Sequence, residues 1–189
     1  MTKHLLAAGI ITIAATLISV LSQAARNERI SFSMHAAQSF RTYLMFAIGL
    51  TTAAACWGVW MAGWFMPQFH PGLVFTSVFF TALGLMLVAA WVRWEKGIKG
   101  KIHDFAAYRM AYLMPILPAA LVLNAHISTT ARYVCVGVLI AQLTPLYLLV
   151  FVPALRRHFL HFQLVYIALT FVALLAANYA QEDCPLKIG

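Results

Sequence analysis

Acidic side chains are scarce in this chain: five Asp and Glu stand against thirteen Lys and Arg. None of the five falls inside the six long apolar runs at 5–21, 43–66, 73–94, 105–123, 133–155 and 162–179. The buried carboxylate on which proton-coupled transporters and intramembrane aspartyl proteases depend is therefore missing. Lysine is absent from every run as well, which removes a retinal Schiff base. The three cysteines, Cys56, Cys135 and Cys184, form no C-x-x-C, so the thiol–disulfide exchange of quinone-linked membrane oxidoreductases lacks its paired sulfurs. There is no G-x-S-x-G, no H-E-x-x-H and no glycine-rich phosphate loop. No catalytic residue is nominated, and the chain reads as a non-enzyme.

Charge of either sign is sparse too. Charged residues make up 10% of the sequence, against about 25% in soluble proteins. That leaves no room for a separate soluble domain, and 1–189 reads as a single membrane domain.

What is present is apolar length. A helix rises about 1.5 Å per residue, so about 20 residues match a hydrocarbon core of roughly 30 Å. Each run meets that length, and the expected fold is an all-α bundle of six transmembrane helices. Residues 1–24 imitate a signal peptide, with Lys3, an apolar run and Ser22-Gln23-Ala24. They are read here as an uncleaved first span.

The basic residues sort by side. Lys3, Arg132 and Lys187 fall on one side; Arg26, Arg29, Arg41, Arg93, Lys96, Lys99, Lys101, Arg109, Arg156 and Arg157 fall on the other. Short loops rich in Lys and Arg stay cytoplasmic, so both termini are expected outside the cytoplasm. The setting this describes is a bacterial inner membrane. The net charge of +8 is assigned to lipid headgroups rather than to nucleic acid.

Local signals place the connections. Pro67, Pro71 and Gly72 mark a tight turn between runs two and three. Gly97 and Gly100, set among lysines, mark a solvated link at 95–101, and Asp104 is the expected N-cap of run four. Segment 31–42 puts Phe32, Ala36, Phe40 and Tyr43 on one helical face, as an interfacial helix or an extension of run two. Run four contains Pro115 and Pro118, run five Pro145 and Pro153. Their released carbonyls, near 110–114 and at Ala141, ask for substitute donors, and Gln142 and Thr144 are the candidates beside the second. Kinks of this kind mark run four and run five as the place to look for a cavity.

Run two has two faces. Ala54, Gly58 and Ala62 form a small-x-x-x-small ridge expected to meet another helix, of this chain or of a partner. Trp57, Trp60 and Trp64 form a stripe, read as core and interfacial belt, or as a face for lipid, a partner or a bound ring, with Trp64 at the interface.

The candidate binding residues gather at the basic rim: His103, Asp104 and Arg109, then Arg156, Arg157 and His158, with Arg41 and Arg93. Arginine forks suit the phosphate of a lipid headgroup. A b-type haem needs imidazoles from two helices at one depth, for which His103 with His158 or His161 are the candidates. No other metal site is expected. The functional expectation is an accessory or scaffold subunit of a larger membrane complex, or a binder of lipid-like molecules. Membrane lipids and other membrane subunits, or a homo-oligomer, are the expected partners. The alternatives are a redox subunit holding haem or quinone, and a small transporter or channel.

Overall fold

With no water in the bilayer to satisfy amides, an apolar run must close its own backbone hydrogen bonds. Among the described residues of the computed structural model, every regular element is helical. Those residues are 1–24, 27 and 29–179, the side chains of Leu149, Val150, Pro153 and Arg156 excepted. Six helices are long and apolar enough to cross a membrane: Thr2–Gln23, Phe40–Phe69, Gly72–Trp91, Ile98–Val122, Thr129–Leu148 and Phe159–Tyr179. They are numbered here as spans one to six. By length and composition the chain is an integral membrane protein of helical class. Large apolar side chains such as Ile11, Leu73, Phe105 and Val165 stand exposed on the bundle's outside, as lipid-facing positions do.

The ends of the chain's first and last spans lie together. The Asn178 amide donates to the Lys3 carbonyl at 3.1 Å, and the His4 and Tyr179 rings stack at 6.2 Å. The segments at 29–39 and 92–97 lie at the other end of the bundle, called the basic end below.

Several boundaries differ from expectation, each for a local reason. Span two continues through Pro67 to Phe69, because a π-turn at Met61–Phe65 precedes the proline. The Met66 amide reaches back to the Met61 carbonyl, and the helix ends only at His70, whose φ is 42°. Span three stops at Trp91. Span four begins at Ile98, one turn and more before Asp104, with Gly97 at a φ of 107° as its cap. Asp104 is thus not an N-cap, and most of the 95–101 link is helical. The helix of span five ends at Phe151, so Pro153 opens a short 3-10 turn, Pro153–His158, instead of kinking the span. Segment 31–42 is neither of the two forms expected. A separate short helix, Phe32–Ala36, is capped by Ser31; span two then restarts from a Ser39–Thr42 capping box.

On span two the core reading of the tryptophan stripe holds for Trp57 and Trp60, while most of the small-residue ridge is left open. Trp57 and Trp60 are buried, their Nε1 groups donating to the Leu6 carbonyl (3.1 Å) and Asn178 Oδ1 (3.0 Å). Beside Trp57 is an apolar void of about 20 Å³, too small for a bound ring. The π-turn adds a residue to its turn and rotates the helix beyond it, so Phe65 takes the fully buried position. Trp64 is only half-buried, its Nε1 covered and without an acceptor among the described residues. A side chain at Gly58 would meet nothing within 4 Å, and Ala62 is exposed. The ridge therefore meets no helix of this chain at those two positions, although Ala54 is buried.

Close packing is achieved elsewhere, by glycines of both spans one and two. A Cβ on Gly9 would stand 2.3 Å from Trp57 Nε1, and one on Gly49 would stand 2.0 Å from Thr16 Oγ1. Small residues let helices approach where lipid offers no hydrophobic drive between them. Gly9→Leu and Gly49→Leu should each destabilise the detergent-solubilised protein by about 1–3 kcal/mol or more, the range for overpacking. Gly58→Leu should leave the melting temperature of the monomer nearly unchanged. A large loss for Gly58→Leu in monomeric protein, with Gly9→Leu silent, would reverse this assignment.

Candidate functional site

A space lies beside span four where proline breaks the helix. Pro115 lacks the N–H that would bond the Ala111 carbonyl, and its ring crowds that carbonyl. The span accordingly breaks into Ile98–Leu113 and Ile116–Val122. The second half packs against spans three, five and six, whereas the first half leans chiefly on span three. Between that first half and spans five and six lies a cavity of about 550 Å³.

Its walls come from four places. Span four supplies Asp104, Ala107, Tyr108, Ala111 and Tyr112 at helical spacing; span five supplies Pro145 and Leu146. Span six contributes Phe159, Phe162, Gln163 and Tyr166. The segment before and within the short helix closes the basic end with Arg29, Ser31, Ser33 and Met34. Tyr108 and Tyr112 are exposed at the rim, so the space opens along the flank of the bundle. From Asp104 to Tyr112 the wall runs about 12 Å along the helix axis. It passes from a carboxylate and hydroxyls to aromatic rings.

The polar groups around the cavity are held in place. The Tyr166 hydroxyl donates to the Ala111 carbonyl, the group released by Pro115. The Met114 carbonyl, released by Pro118, accepts from the Leu117 amide at 3.2 Å. Gln163 Oε1 accepts from the Phe32 amide at 2.9 Å, tying the short helix to span six. His35 is fully buried and uses both ring nitrogens. Nε2 faces the Asn27 amide at 3.1 Å and Nδ1 the Ser31 carbonyl at 2.9 Å. The amide can only donate, so Nε2 accepts and Nδ1 carries the proton. On span five, Gln142 donates to Thr170 Oγ1 (2.8 Å) and Thr144 to the Ile140 carbonyl (3.0 Å). Neither supplies the Ala141 carbonyl, contrary to expectation.

The rim residues expected to share an anion are dispersed. Arg93 donates to the Ala37 carbonyl at 2.7 Å and lies over the Tyr43 ring, clasping the basic ends of spans two and three. Arg109 lies over Phe105 of its own helix, and Arg157 Nε bonds the adjacent His158. Arg41 is exposed. The Arg156 side chain lies outside the described residues, as do Arg26, Cys184 and Lys187. None of Arg41, Arg93, Arg109 and Arg157 lines the cavity.

The histidines are also separated. His103 is buried, with Nδ1 on the Val92 carbonyl at 2.8 Å and Nε2 covered without a partner among the described residues. The imidazoles in ring contact are His158 with His161 and, at the opposite end, His70 with His126. No histidine lines the cavity, and no group of three or more metal-ligating side chains gathers among the described residues. A haem held between His103 and His158 or His161 finds no support in this arrangement.

Sequence reasoning missed the residues that build the cavity, Tyr108, Tyr112, Gln163 and Tyr166 among them. One signal was available: the carbonyl released by Pro115 belongs to Ala111, and a tyrosine on a neighbouring span is a fitting donor. No protein-family model, curated protein or solved structure matches the chain.

Tyr166→Phe should cost about 1–3 kcal/mol, the penalty for stranding a buried acceptor. In a Pro115→Ala background the same change should cost much less, because the restored amide at 115 can serve Ala111. A double-mutant cycle on detergent melting checks this, and equal costs in both backgrounds would remove the substitution logic.

Proposed function

We propose that the protein binds a lipid-like amphiphile in the cavity beside span four. Its polar end would lie at the 29–34 segment, and its apolar part among the rings of Tyr108, Tyr112, Phe159 and Phe162. The observation that carries this reading is a cavity of about 550 Å³ on the bundle's flank, lined by charged and hydroxyl groups together with aromatic rings. Ligand sites typically span about 300–1,000 Å³ with apolar walls and a few placed polar groups. A flank opening suits a molecule that arrives through the bilayer rather than from water. Membrane lipids are thus the proposed partners, and quinone chemistry enters as one kind of ring-bearing amphiphile.

Ala107 faces the cavity without bonding anything by its side chain, so Ala107→Trp is the change that fills it. Native mass spectrometry after gentle extraction should show a lipid-like adduct on the wild type and its loss in Ala107→Trp, with melting preserved. An adduct equally retained by both proteins would remove the cavity from the function.

Membership in a larger assembly is the second reading. It is favoured by the small-residue face at Gly58 and Ala62, which no helix of this chain covers. The membrane proposed for either role is a bacterial inner membrane, with the basic end cytoplasmic and both termini outside. The ten-to-three division of Lys and Arg supports that orientation. An impermeant thiol reagent applied to intact cells should label Ala125→Cys and spare Lys99→Cys; the reverse pattern would invert the topology.

A further inference from the structure

Two opposite charges line the cavity on different elements. Asp104 projects from span four, and Arg29 comes from the segment ahead of the short helix. They do not pair with each other: among the described residues the ion pair is Lys99–Glu95, at 2.9 Å. Nor does either side chain hydrogen-bond another described residue. Arg29 is anchored through its backbone instead, its amide donating to Asn27 Oδ1 at 3.0 Å. Two hydroxyls, Ser31 and Ser33, lie 3.0 Å apart along the same wall. Asp104 is only partly exposed, so an ammonium docking there would find a carboxylate already partly withdrawn from water.

A purely anionic ligand does not explain this wall. It would gain from Arg29 and be repelled by Asp104. A neutral ligand would leave both charges unused. A headgroup carrying both signs uses both: phosphate oxygens accept from the guanidinium fork and a serine hydroxyl, and a primary ammonium donates to the carboxylate. We infer that the occupant is an aminophospholipid, a lipid whose headgroup pairs a phosphate with a primary ammonium. The inference rests on the cavity being the lipid site proposed above. A quaternary ammonium has no N–H to give Asp104, so choline headgroups should be weaker ligands than ethanolamine ones.

The test uses the full chain in nanodiscs of equal parts phosphatidylethanolamine, phosphatidylcholine and phosphatidylglycerol. Retained lipid is read by native mass spectrometry after release into detergent. The wild type should retain phosphatidylethanolamine over the other two by about tenfold, the scale of one charge-assisted hydrogen bond. Asp104→Asn should erase that preference and favour phosphatidylglycerol, while Arg29→Gln should lower retention of all three. Lys101→Gln, outside the cavity, should change nothing. Retention of all three lipids without preference, abolished by Ala107→Trp, would overturn the ammonium–phosphate inference and keep the cavity as a lipid site. Preference for phosphatidylglycerol in the wild type would likewise overturn it, as would an unchanged profile in Asp104→Asn. No lipid retained after release into detergent would remove both the inference and the function it rests on.

Discussion

The bond from the Tyr166 hydroxyl to the Ala111 carbonyl is the interaction on which the site depends. In lipid a backbone acceptor without a donor costs several kcal/mol, so a proline in a membrane helix is tolerated only where something replaces its N–H. Here the replacement comes from a different span. The kink lets the first half of span four leave the bundle axis, and the tyrosine limits how far it goes. Without the kink, Ile98–Leu113 would continue in line with the half that packs on spans five and six. Without the tyrosine, the carbonyl would face hydrocarbon. The cavity is the volume between those two constraints.

The other half of the molecule is built for rigidity. Spans one, two and six are joined by contacts that leave little freedom: Gly9 under the Trp57 indole, Gly49 against Thr16, and the chain of bonds from Trp60 through Asn178 to Lys3. The Trp57 and Trp60 N–H groups each find an acceptor on a different span, which turns an otherwise costly buried donor into a specific clasp. At the same end, Asn124 performs a similar service, donating to the Phe69 carbonyl where span two ends. The result divides the bundle by role. One side is held by interlocked small and aromatic residues, and the other carries a helix that is tethered at only a few points.

Sequence reasoning reached the six spans because apolar length is a one-dimensional property, and it placed a candidate cavity beside spans four and five because proline acts locally. It failed where the answer depends on which way a helix is turned. In span two, Ala54/Gly58/Ala62 and Trp57/Trp60 are two equally periodic faces, and periodicity alone cannot say which faces protein. The π-turn at Met61–Phe65 then shifts the phase, so that Trp64, in step with Trp57 and Trp60 by α-helical counting, gives its place to Phe65. The rim cluster failed for a related reason. Arginines that share an end of the bundle need not share a site, and Arg93, Arg109 and Arg157 each satisfy themselves against a neighbour within their own locality. In the sequence Arg29 counted only as a topology-setting charge and Asp104 as an N-cap at the basic rim; the fold brings both to one cavity wall.

That short helix also decides how the cavity meets the surroundings. Phe32 is buried against Phe46, its amide held by Gln163, while Thr42 Oγ1 donates to the Ala36 carbonyl at 2.7 Å. The segment is thereby fastened to span six at one end and span two at the other. His35 stiffens the turn that leads into it, because both ring nitrogens are engaged with backbone groups. A cover fixed at both ends restricts entry from the basic end. Among the described residues the flank at Tyr108 and Tyr112 has no such cover, and its two exposed rings present apolar faces with polar tips. The proposed path of access is thus sideways, along the flank, with exposed Arg29 and half-buried Asp104 in the cavity wall. A ligand entering by its headgroup must drag polar atoms past rings, whereas one sliding along the flank keeps its chains in lipid throughout. Under the proposed lipid-binding function, the anchored helix is the element that would separate membrane-resident occupants from those arriving through water.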